Sequence, residues 1–203
     1  MYSIIVKRLF DLFFATILLP LLFVTIIIIS FIIVIFDQYP VFYNAKRLGK
    51  NGKTFTMYKF RTMIVNAPDI RLPDGSTFNS DDDPRVTKIG RFLRNTSIDE
   101  LPQIINVLIG DMSFIGNRAD PVDWLNRYSE DEKIILYLRP GITGYNQAYF
   151  RNSADGAEKL RNDIYYAKNI SFGLDVKIFF RTIKTILYRE NLHVDKSKRC
   201  VTV

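Results

Sequence analysis

Between Asp11 and Asp37 the chain carries no charged residue, and only Thr16, Thr25 and Ser30 relieve the apolar run. Residues 12–36, 25 in all, would span about 37 Å as a helix at ~1.5 Å per residue. That is too long for the apolar core of a signal peptide, and no small-residue cleavage site follows it. The chain is expected to be membrane-bound.

How it meets the bilayer is less simple. Pro20 divides the run into arms at 7–19 and 21–36. Each arm is roughly 20–24 Å long as a helix, short of a ~30 Å hydrocarbon core. Lys7 and Arg8 precede the run, and Lys46, Arg47, Lys50 and Lys53 follow it. Positive charge favours the cytoplasmic side, so basic flanks at both ends fit a hairpin that enters and leaves by one face. A spanning helix kinked at Pro20 is the alternative, since membrane helices tolerate proline.

The rest of the chain is basic. Lys+Arg number 28 against 21 for Asp+Glu, a net charge of +7 in 203 residues, which suggests an anionic partner: nucleic acid, a phosphate-bearing substrate or a membrane surface. Cys200 is the one cysteine and His193 the one histidine, so neither an internal disulfide nor a Cys/His metal cluster is available.

TFTMYKFRTM (54–63) reads as a strand ending on Lys59 and Arg61. Residues 66–87, rich in Pro, Asp, Gly, Ser and Asn, read as a loop; its run Asp81-Asp82-Asp83 is read as solvated rather than metal-binding. A short basic helix is expected over 88–96, then an apolar helix stopping at Gly110. Residues 111–118 and 139–147 read as loops carrying Arg118 and Arg139; 120–138 and 157–169 read as helical. Residues 173–190 form an amphipathic helix with Leu174, Ile178, Phe179, Ile183, Ile186 and Leu187 on one face and Lys177, Arg181, Lys184 and Arg189 elsewhere. Core packing is the preferred reading of that face, the membrane interface the alternative. No P-loop or GxGxxG is present.

TSIDELPQ (96–103) places Asp99 and Glu100 side by side before Pro102. Structurally, Asp99 is expected to cap a helix: with Asp99 as N-cap, Pro102 falls in the first turn, where its missing N–H has no partner to lose. Chemically, one carboxylate can act as a nucleophile toward phosphorus and the other as its partner. Lys59, Arg61, Arg94, Arg118, Arg139 and Arg151 supply cations, and arginine binds phosphate oxygens bidentately.

KFRTM (59–63), RFLRNTSIDELPQIINVLIGDMSFIGNR (91–118), RPGITG (139–144) and DIYYAKNISFGLD (163–175) together resemble the bacterial sugar transferases, the small monotopic phosphoglycosyl transferases. The resemblance extends over nearly the whole chain. It implies transfer of a sugar-1-phosphate from a UDP-sugar to undecaprenyl phosphate with release of UMP, at the cytoplasmic face of the inner membrane. It implies a re-entrant helix broken at Pro20, Asp99 as the nucleophile that forms a phosphosugar intermediate, Glu100 as its partner, and Mg²⁺ at Asp99. Lys59 would hold the carboxylates, and Arg94, Arg118 and Arg151 would bind phosphate. Larger members carry further membrane helices upstream, so a minimal catalytic form is expected here.

The expected fold is α+β and mostly helical, with residues 1–40 as the membrane segment, 41–203 as the cytoplasmic catalytic domain, and interfacial amphipathic helices. Three departures from the family pattern stand out. Leu19 replaces the serine usual before Pro20; Asn117 and Ala119 replace the prolines around Arg118; Phe150 replaces a glycine before Arg151. The loop changes are read as altering donor choice, with lost activity second. A non-catalytic membrane scaffold of the same fold is the alternative function. Nucleic-acid binding is disfavoured, since no recognised motif for it is present. A homodimer is compatible with the sequence but not required by it.

Overall fold

The structure, a computed structural model, describes residues 2–70, 78, 83–151 and 154–188. Asp81 and Asp82 of the acidic run, Arg189, His193 and Cys200 lie outside the described residues.

The apolar run forms one helix, α1 (Lys7–Asp37), which continues through Pro20. Proline removes the N–H that would reach the carbonyl of Thr16. Thr16 and Thr25 donate their own hydroxyls to the carbonyls of Leu12 and Leu21, both at 2.8 Å, so neither hydroxyl is bare in an apolar setting. The buried residues of α1 are Lys7, Asp11, Ala15, Leu22, Ile29 and Ile33, one stripe running the length of the helix. Ala15 and Leu22 pack with Phe55, Met57, Ile104 and Val107; Ile29 and Ile33 pack with Val41, Phe60 and Leu93. The other faces stay bare: Phe13, Ile17, Phe23, Ile27, Phe31 and Phe36 are exposed.

Both ends of α1 are fastened to the same domain. At the start, Lys7 Nζ meets Asp175 Oδ2 at 2.5 Å. The Arg8 guanidinium donates to the carbonyls of Val107 (2.6 Å) and Leu108 (3.0 Å), and Asp11 Oδ1 accepts from Ser113 Oγ and Phe114 N, each at 3.0 Å. At the far end, Arg61 donates to the carbonyls of Asp37, Gln38, Pro40 and Met63, and Thr87 Oγ1 donates to Asp37 Oδ2 at 2.6 Å.

The remaining elements follow in order. β1 (Phe42–Leu48) and β2 (Thr54–Phe60) form an antiparallel hairpin with Tyr43 opposite Lys59. α2 (Lys88–Thr96) and α3 (Gln103–Ile109) flank the acidic pair. β3 (Ser113–Ile115) and β4 (Gly141–Thr143) pair in parallel. α4 (Tyr145–Tyr149), α5 (Gly156–Asn169) and α6 (Phe172–Leu187) close the domain. The stretch expected as one helix over 120–138 is instead two short 3₁₀ segments, Val122–Asn126 and Glu132–Tyr137; Ser129 and Glu132 bond each other between them and interrupt the helical run. The two expected loops contain β3 and β4, strands of three residues that are too short to show a period of two.

Two devices hold the site's supports together. The Asn106 carboxamide, fully buried, donates to Thr56 O at 2.7 Å and accepts from Tyr58 N at 3.0 Å, tying α3 to β2. At the β3–β4 contact the backbones nearly touch: a Cβ on Gly141 would lie 2.1 Å from Gly116 N, and one on Gly144 1.9 Å from Gly116 O. Only glycine permits that approach. Asn106→Leu leaves a buried N–H and a buried C=O unpaired, a loss of roughly 2–4 kcal/mol. It is expected to lower the melting temperature in detergent by about 5 °C or more, read by thermal unfolding.

Candidate active site

The acidic pair does not cap a helix. Ser97 takes the left-handed conformation (φ 58°), and its N–H closes α2 by bonding back to Arg94 and Leu93 carbonyls. The chain then makes a 3₁₀ turn, Ile98–Glu100, without any side-chain cap from Ser97. Pro102 continues right-handed into α3, which begins at Gln103. The reversal at Ser97 starts the new turn before Asp99, so its carboxylate is not used on backbone N–H groups and is turned into the protein.

Asp99 is buried. β2 brings Lys59 across to it, with Nζ 3.2 Å from Oδ2. Burial raises the Asp99 pKa above the ordinary carboxylate range and the Glu100 charge adds to that, while Lys59 and Arg94 pull the other way. Glu100 is paired to the half-exposed Arg118, Nη2 to Oε1, at 3.1 Å; that carboxylate holds the Arg118 guanidinium firmly charged. Arg94 is fixed by Nε donating to Thr62 Oγ1 at 2.9 Å and feels both Asp99 and Asp83. Arg151, in the left-handed region at φ 50°, is under the influence of Glu100; its Nη1 is buried without a hydrogen-bond partner among the described residues. Asp99, Glu100, Lys59, Arg94, Arg118 and Arg151 all line one cleft of about 1940 Å³.

Two of the predicted cations are elsewhere. Arg61 is buried at the end of α1 with its guanidinium on four carbonyls, and Arg139 donates to Gly110 O at 2.8 Å beyond α3. Both serve helix ends, where carbonyls lack intrahelical partners. Of the departing loop residues, Ala119 lines the cleft and packs into the core, whereas Asn117 and Phe150 do not line it. An influence of those two on donor choice therefore runs through loop shape. Sequence reading missed the cluster of Asp120, Tyr128, Lys159 and Asp163, whose members lie far apart in the chain and form no local motif; Asp120 and Lys159 line the same cleft.

The cleft also runs to the apolar side, where Phe10, Phe14, Ile17, Phe179 and Ile183 line it. The preferred core reading of α6 is corrected here. Ile178 is core, but Phe179, Phe180, Ile183, Ile186 and Leu187 are exposed. The start of α6 instead meets the outer face of α1, with the Phe10 and Phe172 rings stacked at 5.7 Å. An apolar face left open beside an apolar helix is what a lipid-seated helix needs.

The described residues hold no cluster of three or more His, Cys, Asp or Glu side chains suited to a metal. Asp99 and Glu100 offer two carboxylates. That is a fit for Mg²⁺, which takes one or two carboxylates and completes its shell with water and substrate phosphates.

A buried, lysine-paired carboxylate with three arginines in one cleft, whose lining also includes exposed apolar side chains, is suited to holding an anion. Residues 2–189 match the family described as bacterial sugar transferase, and the chain belongs to that family. It is 41% identical over 188 residues to the uncharacterized sugar transferase EpsL of Bacillus subtilis, covering 93% of this chain and 90% of that one. It is 39% identical to an undecaprenyl-phosphate galactose phosphotransferase of Salmonella typhimurium, over 77% of this chain and 35% of that protein. It is 38% identical to a UDP-N-acetylgalactosamine-undecaprenyl-phosphate N-acetylgalactosaminephosphotransferase of Aeromonas hydrophila, over 90% and 44% respectively. The chain thus spans well under half the length of these two functionally named relatives.

The raised Asp99 pKa carries a sign. The folded state holds the Asp99 proton more tightly than the unfolded chain, so Asp99 lowers stability as pH rises through the ordinary carboxylate range to the raised value. Asp99→Asn is expected to melt at or above the wild-type temperature at pH 7, with the gap closing below the carboxylate range. Paired melting curves at the two pH values check this.

Proposed function

We propose that the chain is a phosphoglycosyl transferase that moves a sugar-1-phosphate from a UDP-sugar to undecaprenyl phosphate, releasing UMP, and so initiates a bacterial glycan. The relatives named for such phosphotransfers support the reaction class. The observation that carries the residue roles is the buried Asp99–Lys59 pair beside Glu100–Arg118 in a cleft lined by both charged and apolar side chains.

In this reading an Asp99 oxygen attacks the β-phosphorus of the donor. The bond from that phosphorus to the bridging oxygen breaks, and UMP departs with the electron pair. A phosphate oxygen of the polyprenyl carrier then attacks the same phosphorus, the acyl-phosphate bond breaks, and Asp99 is regenerated. Lys59 orients the nucleophile and favours its ionised form. Arg118, Arg94 and Arg151 bind phosphate oxygens, and Glu100 holds Arg118 while its charge keeps Asp99 basic. Mg²⁺, held by Asp99 together with donor phosphates, would neutralise charge on the pyrophosphate. All six residues come from one chain, so a homodimer is not required for the site.

In this reading the chain sits on the membrane by segment 1–40, with α1 entering as one continuous helix rather than as two arms parted at Pro20, and 41–203 lies at the cytoplasmic face of the inner membrane. The fastening of both ends of α1 to one polar domain supports this, because a domain in water then holds both ends on one side. The open face of α6 supports an interfacial seat. Cysteines introduced at Tyr2 and Tyr39 should both be labelled by a membrane-impermeant thiol reagent in inside-out vesicles, and neither in right-side-out ones. Opposite sidedness would establish a spanning helix.

The chemistry is tested by incubating purified protein with Mg²⁺ and a panel of UDP-sugars, then taking intact and peptide mass spectra. A phosphosugar adduct on the Asp99 peptide, absent from Asp99→Asn, is expected. Absence of both the adduct and UMP release with every donor, carrier present, would leave the non-catalytic scaffold reading. Lys59→Met removes a charge that lowers the Asp99 pKa, so the acid limb of the pH–rate profile should move to higher pH, read from kcat/KM between pH 5 and 9.

A further inference from the structure

Arg118 sits on a loop between Asn117 and Ala119, where neither neighbour fixes the backbone as proline would, yet its guanidinium is held on Glu100. The loop is held before Arg118 by Gly141 N, which donates to Asn117 O at 2.8 Å, and after it by a second set of contacts centred on Asp120. Asp120 accepts from Lys159 Nζ with both oxygens, at 2.8 and 2.9 Å. Tyr128 OH donates to Asp120 Oδ2 at 2.6 Å, and the Asp120 carbonyl accepts from Leu48 N at 2.9 Å. Lys159 is itself held between Asp120 and Asp163, the latter at 3.3 Å along α5, with its ammonium 5.7 Å from the Trp124 ring centroid. The Asp120 and Lys159 side chains are mostly shielded from solvent, so the pair is screened far less than a surface pair.

We propose that Asp120 and Lys159 are positioning residues for Arg118, an ionic clamp between α5 and the 116–121 loop that takes over the stiffening proline would supply. This rests on the proposed phosphotransfer, in which Arg118 binds donor phosphate. The chemistry of the cluster agrees with a clamp rather than a ligand site. Burial works against the Lys159 charge, but Asp120 and Asp163 outweigh it and keep the ammonium charged. Two carboxylates already claim that ammonium, so little of its charge is left for a phosphate. Asp120 is saturated by Lys159 and Tyr128, which leaves it a poor metal ligand. Arg118 lies within the field of Glu100, Asp99 and Asp120 together, so a shift of the Asp120 end of the loop displaces the guanidinium relative to the nucleophile. A misplacement of about 1 Å at such a group costs on the order of 100-fold in rate.

The test is a double-mutant cycle on purified full-length protein, assayed for UMP release with the donor found for the wild type. Lys159→Met, which keeps the stem and removes the charge, should lower kcat/KM about 10- to 100-fold. Lys159→Arg should recover most of it. In an Arg118→Ala background, Lys159→Met should cost less than threefold further, because a residue acting through Arg118 has nothing left to position. Asp120→Asn, nearly isosteric, should behave as Lys159→Met does and guards against misfolding of the lysine variant. Melting curves accompany every variant. Equal losses for Lys159→Met in both backgrounds would overturn the clamp and assign the residue a general structural role, and wild-type rates for Lys159→Met and Asp120→Asn would overturn it outright. An inactive wild type would instead strike at the phosphotransfer reading.

Discussion

Charged contacts at the two ends of α1 set the frame for everything else. A helix of 31 residues with apolar surface nearly all round would ordinarily be free to cross a bilayer. Here Lys7, Arg8 and Asp11 at one end and Asp37 at the other are hydrogen-bonded into a single polar domain, and Arg61 closes the last turn. Releasing either end would strand buried charges or carbonyls without partners, which is costly in any medium and worst in hydrocarbon. The stripe between those ends completes two hydrophobic clusters of the domain. The cleft therefore lies against the one long apolar helix of the chain, with charged side chains and exposed apolar ones both in its lining.

Around that frame the acidic pair is divided in role by its surroundings. Asp99 is buried and lysine-bound, and Glu100 is turned to a half-exposed arginine. Adjacent residues differ here because each has its own cation, Lys59 from β2 and Arg118 from the loop after β3. Burial and the neighbouring Glu100 charge make the Asp99 carboxylate more basic than usual, and Lys59 opposes them.

Local patterns in the sequence were good guides where structure is local. α2 falls where its residues suggested, β2 ends at Phe60 rather than at Met63, α6 begins at Phe172 with its expected end at 189–190 outside the described residues, and Gly110 ends α3 in the left-handed region at φ 97°. The helix cap at Asp99 was misread because Ser97 was not seen as a left-handed reversal; serine seldom adopts that conformation, and nothing nearby announces it. Arg61 and Arg139 look like phosphate ligands by type and loop context, and only the tertiary structure shows them capping helices. The face of α6 has the same period whether it meets a core or a membrane, so pattern could not choose between them. The family motifs singled out Lys59, Arg94, Asp99, Glu100, Arg118 and Arg151, and the structure brings these six to one cleft. The Asp120–Lys159 clamp was not legible in this way, since 39 residues separate its members.

The union of α1 with the domain core bears on how the protein is made. Lys7 leaves the ribosome long before Asp175, its partner 168 positions later, and Ala15 and Leu22 are complete before the hairpin and α3 that cover them. The helix must rest somewhere in the interval, and its bare phenylalanines and isoleucines leave the bilayer as the favourable place. Deleting α1 would remove part of both clusters, so the rest of the chain folds on α1 as on one of its own core elements.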